Sequence, residues 1–192
     1  MYLVKSVAIP VTLAFLAIAS AASAQNAELK LKLSGPGAVN DSTIKAGQPL
    51  DVEVHCSTKI ERTGYSFGLK FTSKSITSIQ QIVDSGNGIN DAGSIKGHNF
   101  WKDKSFFDFG FGVKEEDWDG KLPEHLGFWG LSAKRGLPPI EMTKAFSISI
   151  IIPDTGTLVV DSAFFPPAGS WMFAPPGDAP KWSGPYKFKV VK

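Results

Sequence analysis

The sequence predicts an all-β protein, a jelly-roll or immunoglobulin-like antiparallel β-sandwich with a long aromatic-rich insertion. Three observations predict it. Beyond residue 25 the dominant hydrophobic period is two, turn chemistry falls between the alternating runs, and no segment has a convincing amphipathic helical stripe.

The first 24 residues stand apart from that pattern. Lys5 precedes an apolar run from Val7 to Ile18, and Ala22 and Ala24 supply small residues at positions −3 and −1 of a cut ahead of Gln25. A short positive head, an apolar centre too short for a stable anchor and a small-residue cleavage site predict a secretory signal peptide over 1–24. The mature chain then runs from 25 to 192 as one domain, without a later apolar run that would span a membrane. Its expected location is secreted, extracellular or periplasmic. A chain of this length buries roughly 70% of its unfolded surface on folding and needs no covalent staple.

The strands follow in order. Leu29, Leu31 and Leu33 alternate with Lys30 and Lys32, and Leu50, Val52, Val54 and Cys56 alternate with Asp51, Glu53, His55 and Ser57. Tyr65, Phe67, Leu69 and Phe71 form the next apolar series. Ser75–Val83 fits one face of a strand or of a helix, and is read as a strand. Phe146, Ile148, Ile150 and Ile152 alternate with Ser147, Ser149 and Ile151, and Thr157–Val160, Ser162–Phe165 and Tyr186–Val191 close the series. Gly35-Pro36-Gly37, Ala46-Gly47-Gln48-Pro49, Pro153-Asp154-Thr155-Gly156 and Pro166-Pro167-Ala168-Gly169 supply the turns.

The interval of about 84–144 reads as an irregular insertion. Nine aromatic residues fall between Phe100 and Trp129, interspersed with Lys, Asp and Glu. Trp101 and Trp118, in Asn99-Phe100-Trp101-Lys102-Asp103 and Glu115-Glu116-Asp117-Trp118-Asp119-Gly120, sit in polar settings where burying the indole would draw charge inward. They are the candidate ligand-binding residues, because a flat aromatic face meets the C–H face of a sugar. Trp129 and Trp171 lie among apolar neighbours and read as core.

Of the 20 Lys and Arg, only Lys5 leaves with the leader, so 19 face 18 Asp and Glu and the mature net charge is about +1. The lysines are scattered among acids, which argues against nucleic acid as a partner. Cys56 is the single cysteine, so no intramolecular disulfide forms, and its place on an apolar strand face reads as a buried structural thiol. His55 falls on the other face of that strand, which leaves Cys56 without a catalytic base. No catalytic residue is assigned. Glu115, Glu116, Asp117 and Asp119 read as a solvated acidic loop; as a carboxylate pair they would make a small hydrolase, the alternative from the enzyme class. Asp84, Asn87, Asn90 and Asp91 could offer oxygens to calcium, but their spacing departs from the twelve-residue calcium loop and turn chemistry explains them. His55, His98 and His125 lack zinc-ligand spacing. No metal or cofactor is therefore expected.

Several of these runs together resemble a known family. Lys45–Val54, Gly64–Phe71, Ser75–Val83, Leu126–Ser132, Ala145–Ile152 and Leu158–Phe165 are similar to successive strands of cohesin-type modules. The resemblance spans roughly Lys45 to Phe165. It implies a jelly-roll sandwich, related in architecture to carbohydrate-binding modules, that binds a protein partner or a polysaccharide without catalysis. The family's binding face is a surface and not a motif, so no residue role carries over. The aromatic interval is longer than such modules need, and no duplicated dockerin-type calcium loop accompanies it. A non-catalytic exported binding module is the leading expectation, and a self-assembling envelope component using free strand edges is a further alternative.

Overall fold

The computed structural model describes residues 25–81, 109–115, 120–131, 136, 138–163, 172–175 and 177–192. Among them every regular element is a strand: β1 (Ala27–Ser34), β2 (Ala38–Asn40), β3 (Thr43–Lys45), β4 (Pro49–Thr58), β5 (Gly64–Ser73), β6 (Gln80–Gln81), β7 (Phe109–Glu115), β8 (Glu124–Leu131), β9 (Ile140–Ile151), β10 (Gly156–Ala163), β11 (Met172–Ala174), β12 (Lys181–Trp182) and β13 (Tyr186–Val191). No helix among the described residues is long and apolar enough to cross a membrane.

Two sheets share these strands. Sheet A has the order β12-β1-β4-β9-β6, and sheet B the order β2-β3-β13-β10-β5-β8-β7, with β11 paired to the start of β5. The alternating residues explain why the sheets face each other. Leu29 and Leu31 on β1, Leu50, Val52, Val54 and Cys56 on β4, and Ile148 and Ile150 on β9 are buried, as are Phe67, Leu69 and Phe71 on β5, Leu158 and Val160 on β10, and Phe188 and Val190 on β13. Each fully buried Leu, Ile or Phe side chain contributes about 1.5–3 kcal/mol by leaving water. One contiguous apolar layer holds the sandwich together, and the lone thiol lies inside it.

The sheets are mixed, whereas an antiparallel sandwich was expected. β12 runs parallel to β1, and β3 runs parallel to β13. Both pairs join segments from opposite ends of the chain, so no hairpin dictates their direction; sequence-adjacent partners such as β7 and β8 remain antiparallel. Within the interval read as irregular, β8 covers most of the Leu126–Ser132 run that resembles a strand and pairs with β5 along its length, and 109–115 adds a strand that was not expected. Glycine hides that strand, because Gly110 and Gly112 weaken the strand signature of the phenylalanines that alternate with them. Ser75–Val83 also differs. Among its described residues only Gln80–Gln81 joins a ladder, Ser78 makes an isolated bridge to Lys121, and Ile76 and Ile79 are both buried. Ile79 N–H donates to Gly120 O at 2.9 Å and Leu122 N–H to Thr77 O at 3.0 Å, so the segment is held by the turn before β8 as well as by its two-residue ladder with β9.

Two glycines allow close approaches between neighbouring segments. At Gly156 the backbone takes φ +153°, and a Cβ there would collide with Ser75 Oγ and come within 3.0 Å of Ile76 Cγ1. Gly156→Ala should therefore cost about 1–3 kcal/mol, read as a lower urea midpoint, and an unchanged midpoint would refute the packing described. At Gly184 a Cβ would strike the Trp182 indole, which crosses the sandwich edge between β12 and β13. That indole donates from Nε1 to Asp161 Oδ1 at 2.8 Å and meets Tyr186 edge-on at 5.1 Å. Trp182 thus ties the last strands of the two sheets together.

Candidate functional site

The proposed sugar platform and calcium turn lie largely outside the described residues, which exclude Trp101, Trp118, Glu116, Asp117, Asp119, Asp84, Asn87, Asn90, Asp91 and Trp171. Glu115 ends β7 at the register position of Leu126. Trp129 pairs with Ser66 and Gly112, one row away from the buried Phe67 and its partner Phe128.

The outer face of sheet A carries a polar ladder centred on Glu53. Ser34 Oγ donates to its Oε1 at 2.7 Å, His55 Nε2 meets Oε2 at 2.7 Å, and Lys144 Nζ lies 3.4 Å from Oε1. Burial raises the Glu53 pKa, but hydrogen bonds from His55 and Ser34 and the Lys144 charge outweigh it and hold the carboxyl below its ordinary value. Alongside, Ser149 Oγ bonds the Asp51 carboxylate across the β4–β9 pair, which satisfies a buried hydroxyl. A serine, a histidine and a carboxylate meet here, yet the serine gives its proton to the carboxylate instead of the imidazole. Nucleophile activation requires a serine-to-base hydrogen bond, so this cluster stiffens strands β1, β4 and β9.

Cys56 is 1% exposed, and burial pushes its thiol pKa up to about 12. That matches the structural thiol expected from the strand pattern. A buried, protonated thiol should react with iodoacetamide at least about a hundredfold more slowly than in urea-unfolded chain, because labelling waits on opening of the sandwich. Equal rates in both states would contradict its burial.

Sequence reasoning missed a buried ion pair. Arg62 in the β4–β5 connection is 0% exposed, and its guanidinium grips Asp178 bidentately, Nη2 donating to Oδ2 at 2.9 Å and Nη1 to Oδ1. Nη1 also donates to Pro175 O at 2.8 Å, and Asn26 N–H reaches Asp178 Oδ2 at 3.4 Å. Hydrogen bonding from Arg62 holds the Asp178 carboxyl below its ordinary value of 3.8, against the opposing effect of burial. The pair clasps the β4–β5 loop, the amino-terminal end of the sandwich and the loop after β11. Glu124 was also unexpected; it is 0% exposed and accepts the Gly120 N–H at 2.6 Å, which fixes the turn entering β8.

Among the described residues an open concavity lies on sheet B. A groove of about 660 Å³ runs over β3, β13 and β10, lined by Ser42, Thr43, Thr155, Thr157, Lys187 and Lys189. No protein-family model matches this chain, and no curated protein matches it. The groove and the polar ladder are therefore interpreted from their chemistry alone. Among the described residues no group of three or more His, Cys, Asp or Glu is arranged to hold a metal ion.

Proposed function

We propose that this chain is an exported, non-catalytic β-sandwich module that recognises an extracellular polysaccharide or a protein partner. The observation that carries this reading is the division of labour among its polar groups. Among the described residues Cys56 is buried, Arg62 is closed on Asp178, and Ser34 and His55 on the outer face of sheet A are both turned to Glu53, while hydroxyls and lysines line an open groove. Such a surface suits binding, and among the described residues it offers no activated nucleophile.

The strand connections support the jelly-roll form and the cohesin-like resemblance. The chain changes sheet at most connections, with β4 in sheet A followed by β5 in B and β8 in B followed by β9 in A and β10 in B. Of the runs that carry the resemblance, Lys45–Val54, Gly64–Phe71, Leu126–Ser132, Ala145–Ile152 and Leu158–Phe165 fall mainly on β4, β5, β8, β9 and β10, whereas the described part of Ser75–Val83 gives only the short β6. The leader over 1–24 makes extracellular ligands the natural ones.

Affinity electrophoresis through gels cast with individual polysaccharides tests this directly. Retardation by at least one polysaccharide, or stoichiometric capture of one protein from culture medium, is the expected result; migration unaltered in every gel together with no captured protein overturns it. Retardation that survives Trp101→Ala with Trp118→Ala would remove those two residues from the recognition surface.

A further inference from the structure

We infer that the groove over β3, β13 and β10 binds an anionic polysaccharide, with Lys187 and Lys189 meeting successive carboxylate or sulfate groups; the inference rests on the binding-module reading above. Phe188 and Val190 face the core, so strand alternation puts Lys187 and Lys189 together on the outer face, roughly 6.6 Å apart by the rise of a strand. Both are exposed. Lys189 stands between Thr43 of β3 and Thr157 of β10 in adjacent register, and its own N–H is held by Ser42 O at 2.8 Å. Two ammonium groups are thereby set on a rigid ladder among hydroxyl donors.

Neither groove lysine is held in an ion pair among the described residues, and the carboxylate that shares this side of β10, Asp161, lies beyond Val159, the register partner of Lys187, and accepts from the Trp182 indole. On sheet A, Lys30 and Lys181 lie 3.1 Å and 3.6 Å from Glu28, and Lys144 lies 3.4 Å from Glu53. Among the described residues no carboxylate comes within ion-pair distance of Lys187 or Lys189, although Asp41 and Asp154 occupy the turns next to Ser42 and Thr155. Two like charges on one strand repel each other, and an anionic polymer lying along the groove relieves that repulsion and releases its own counterions.

The lining selects among polymers. Protein interfaces centre on aromatic residues, Met and Arg and are depleted in Lys, whereas this groove has one aliphatic lining residue, Val190, itself 3% exposed. Val39 is the large hydrophobic exposed among the described residues, and it lies outside the groove. A neutral glycan would require an aromatic platform, which this lining lacks. Ammonium and hydroxyl groups together suit a chain that alternates anionic groups with sugar hydroxyls.

The test is affinity electrophoresis of the purified protein in gels containing polygalacturonate, a sulfated glycan of the heparin type, or neutral dextran. Retardation by either polyanion and not by dextran is expected; polygalacturonate alone would identify carboxylates, and the sulfated chain alone would identify sulfates. Lys187→Gln with Lys189→Gln should weaken that binding at least about tenfold and flatten its log–log salt dependence by about one for each lysine removed. Lys32→Gln, an exposed lysine on sheet A, should change neither. Polyanion binding at wild-type strength in the double variant overturns the site, as does equal retardation by dextran, and in both cases the binding-module reading survives. Failure of every polysaccharide to retard the protein overturns the inference, and the binding-module reading then falls only if protein capture also fails.

Discussion

Asp178→Ala is expected to destabilise the fold by about 3–5 kcal/mol, the range found when one partner of a buried ion pair is deleted. The substitution leaves the guanidinium of Arg62, 0% exposed, with Pro175 O but without the carboxylate that neutralises it. For a domain of this size, that loss lowers the melting temperature by on the order of 10 °C. Arg62→Met combined with Asp178→Leu should recover most of the loss, because a buried pair replaced by apolar groups leaves no stranded charge. A cost below about 1 kcal/mol for Asp178→Ala, within the range of a solvated surface pair, would show that the clasp is not desolvated as described. The pH dependence carries a defined sign. Asp178, Glu53 and Glu28 all have carboxyls held below their ordinary values, so their stabilisation is complete above the normal carboxylate range and is lost as pH falls through the depressed values. Urea midpoints measured down from neutral pH should fall in acid, and the acid-dependent part should shrink in the Arg62→Met, Asp178→Leu variant.

Phe188→Ala should cost a similar 3–5 kcal/mol, for a different reason. Phe188 is 2% exposed, pairs with Leu158 across β10, and stacks on Tyr186 at a centroid distance of 6.1 Å and an interplanar angle of 17°. Its removal opens a cavity between the sheets under β13, the strand that joins β3 to β10 and carries both groove lysines. Urea denaturation should show a reduced midpoint at an unchanged slope, the mark of lost stability without a change in surface exposed. A midpoint within experimental error of the parent would mean that β13 does not close the core.

The parts of this fold that sequence alone discloses are those in which one face is apolar and the other polar. β1, β4, β5, β10 and β13 could be read by alternation because each has the core on one side only. β9 was read in the same way, but Ser147 and Ser149 are 3% and 1% exposed, so its second face is buried as well. Parallel pairing of chain ends has no local signature, and neither does an ion pair between Arg62 and Asp178, 116 residues apart. The glycine-interrupted strand β7 was hidden by a residue that strands normally avoid. The groove was illegible for the same reason as the ion pair. Ser42, Thr157 and Lys189 come together only when β3, β10 and β13 assemble, and a lysine-hydroxyl ladder looks in sequence like any solvated strand face.

Binding without turnover is the property that most separates this reading from a hydrolase built on the acidic Glu115–Asp119 segment. The decisive measurement is a reducing-end assay on each polysaccharide that retards the protein in a gel. Bound polymer with no new reducing ends over many hours is the predicted result, and reducing ends that accumulate in proportion to protein concentration would contradict it.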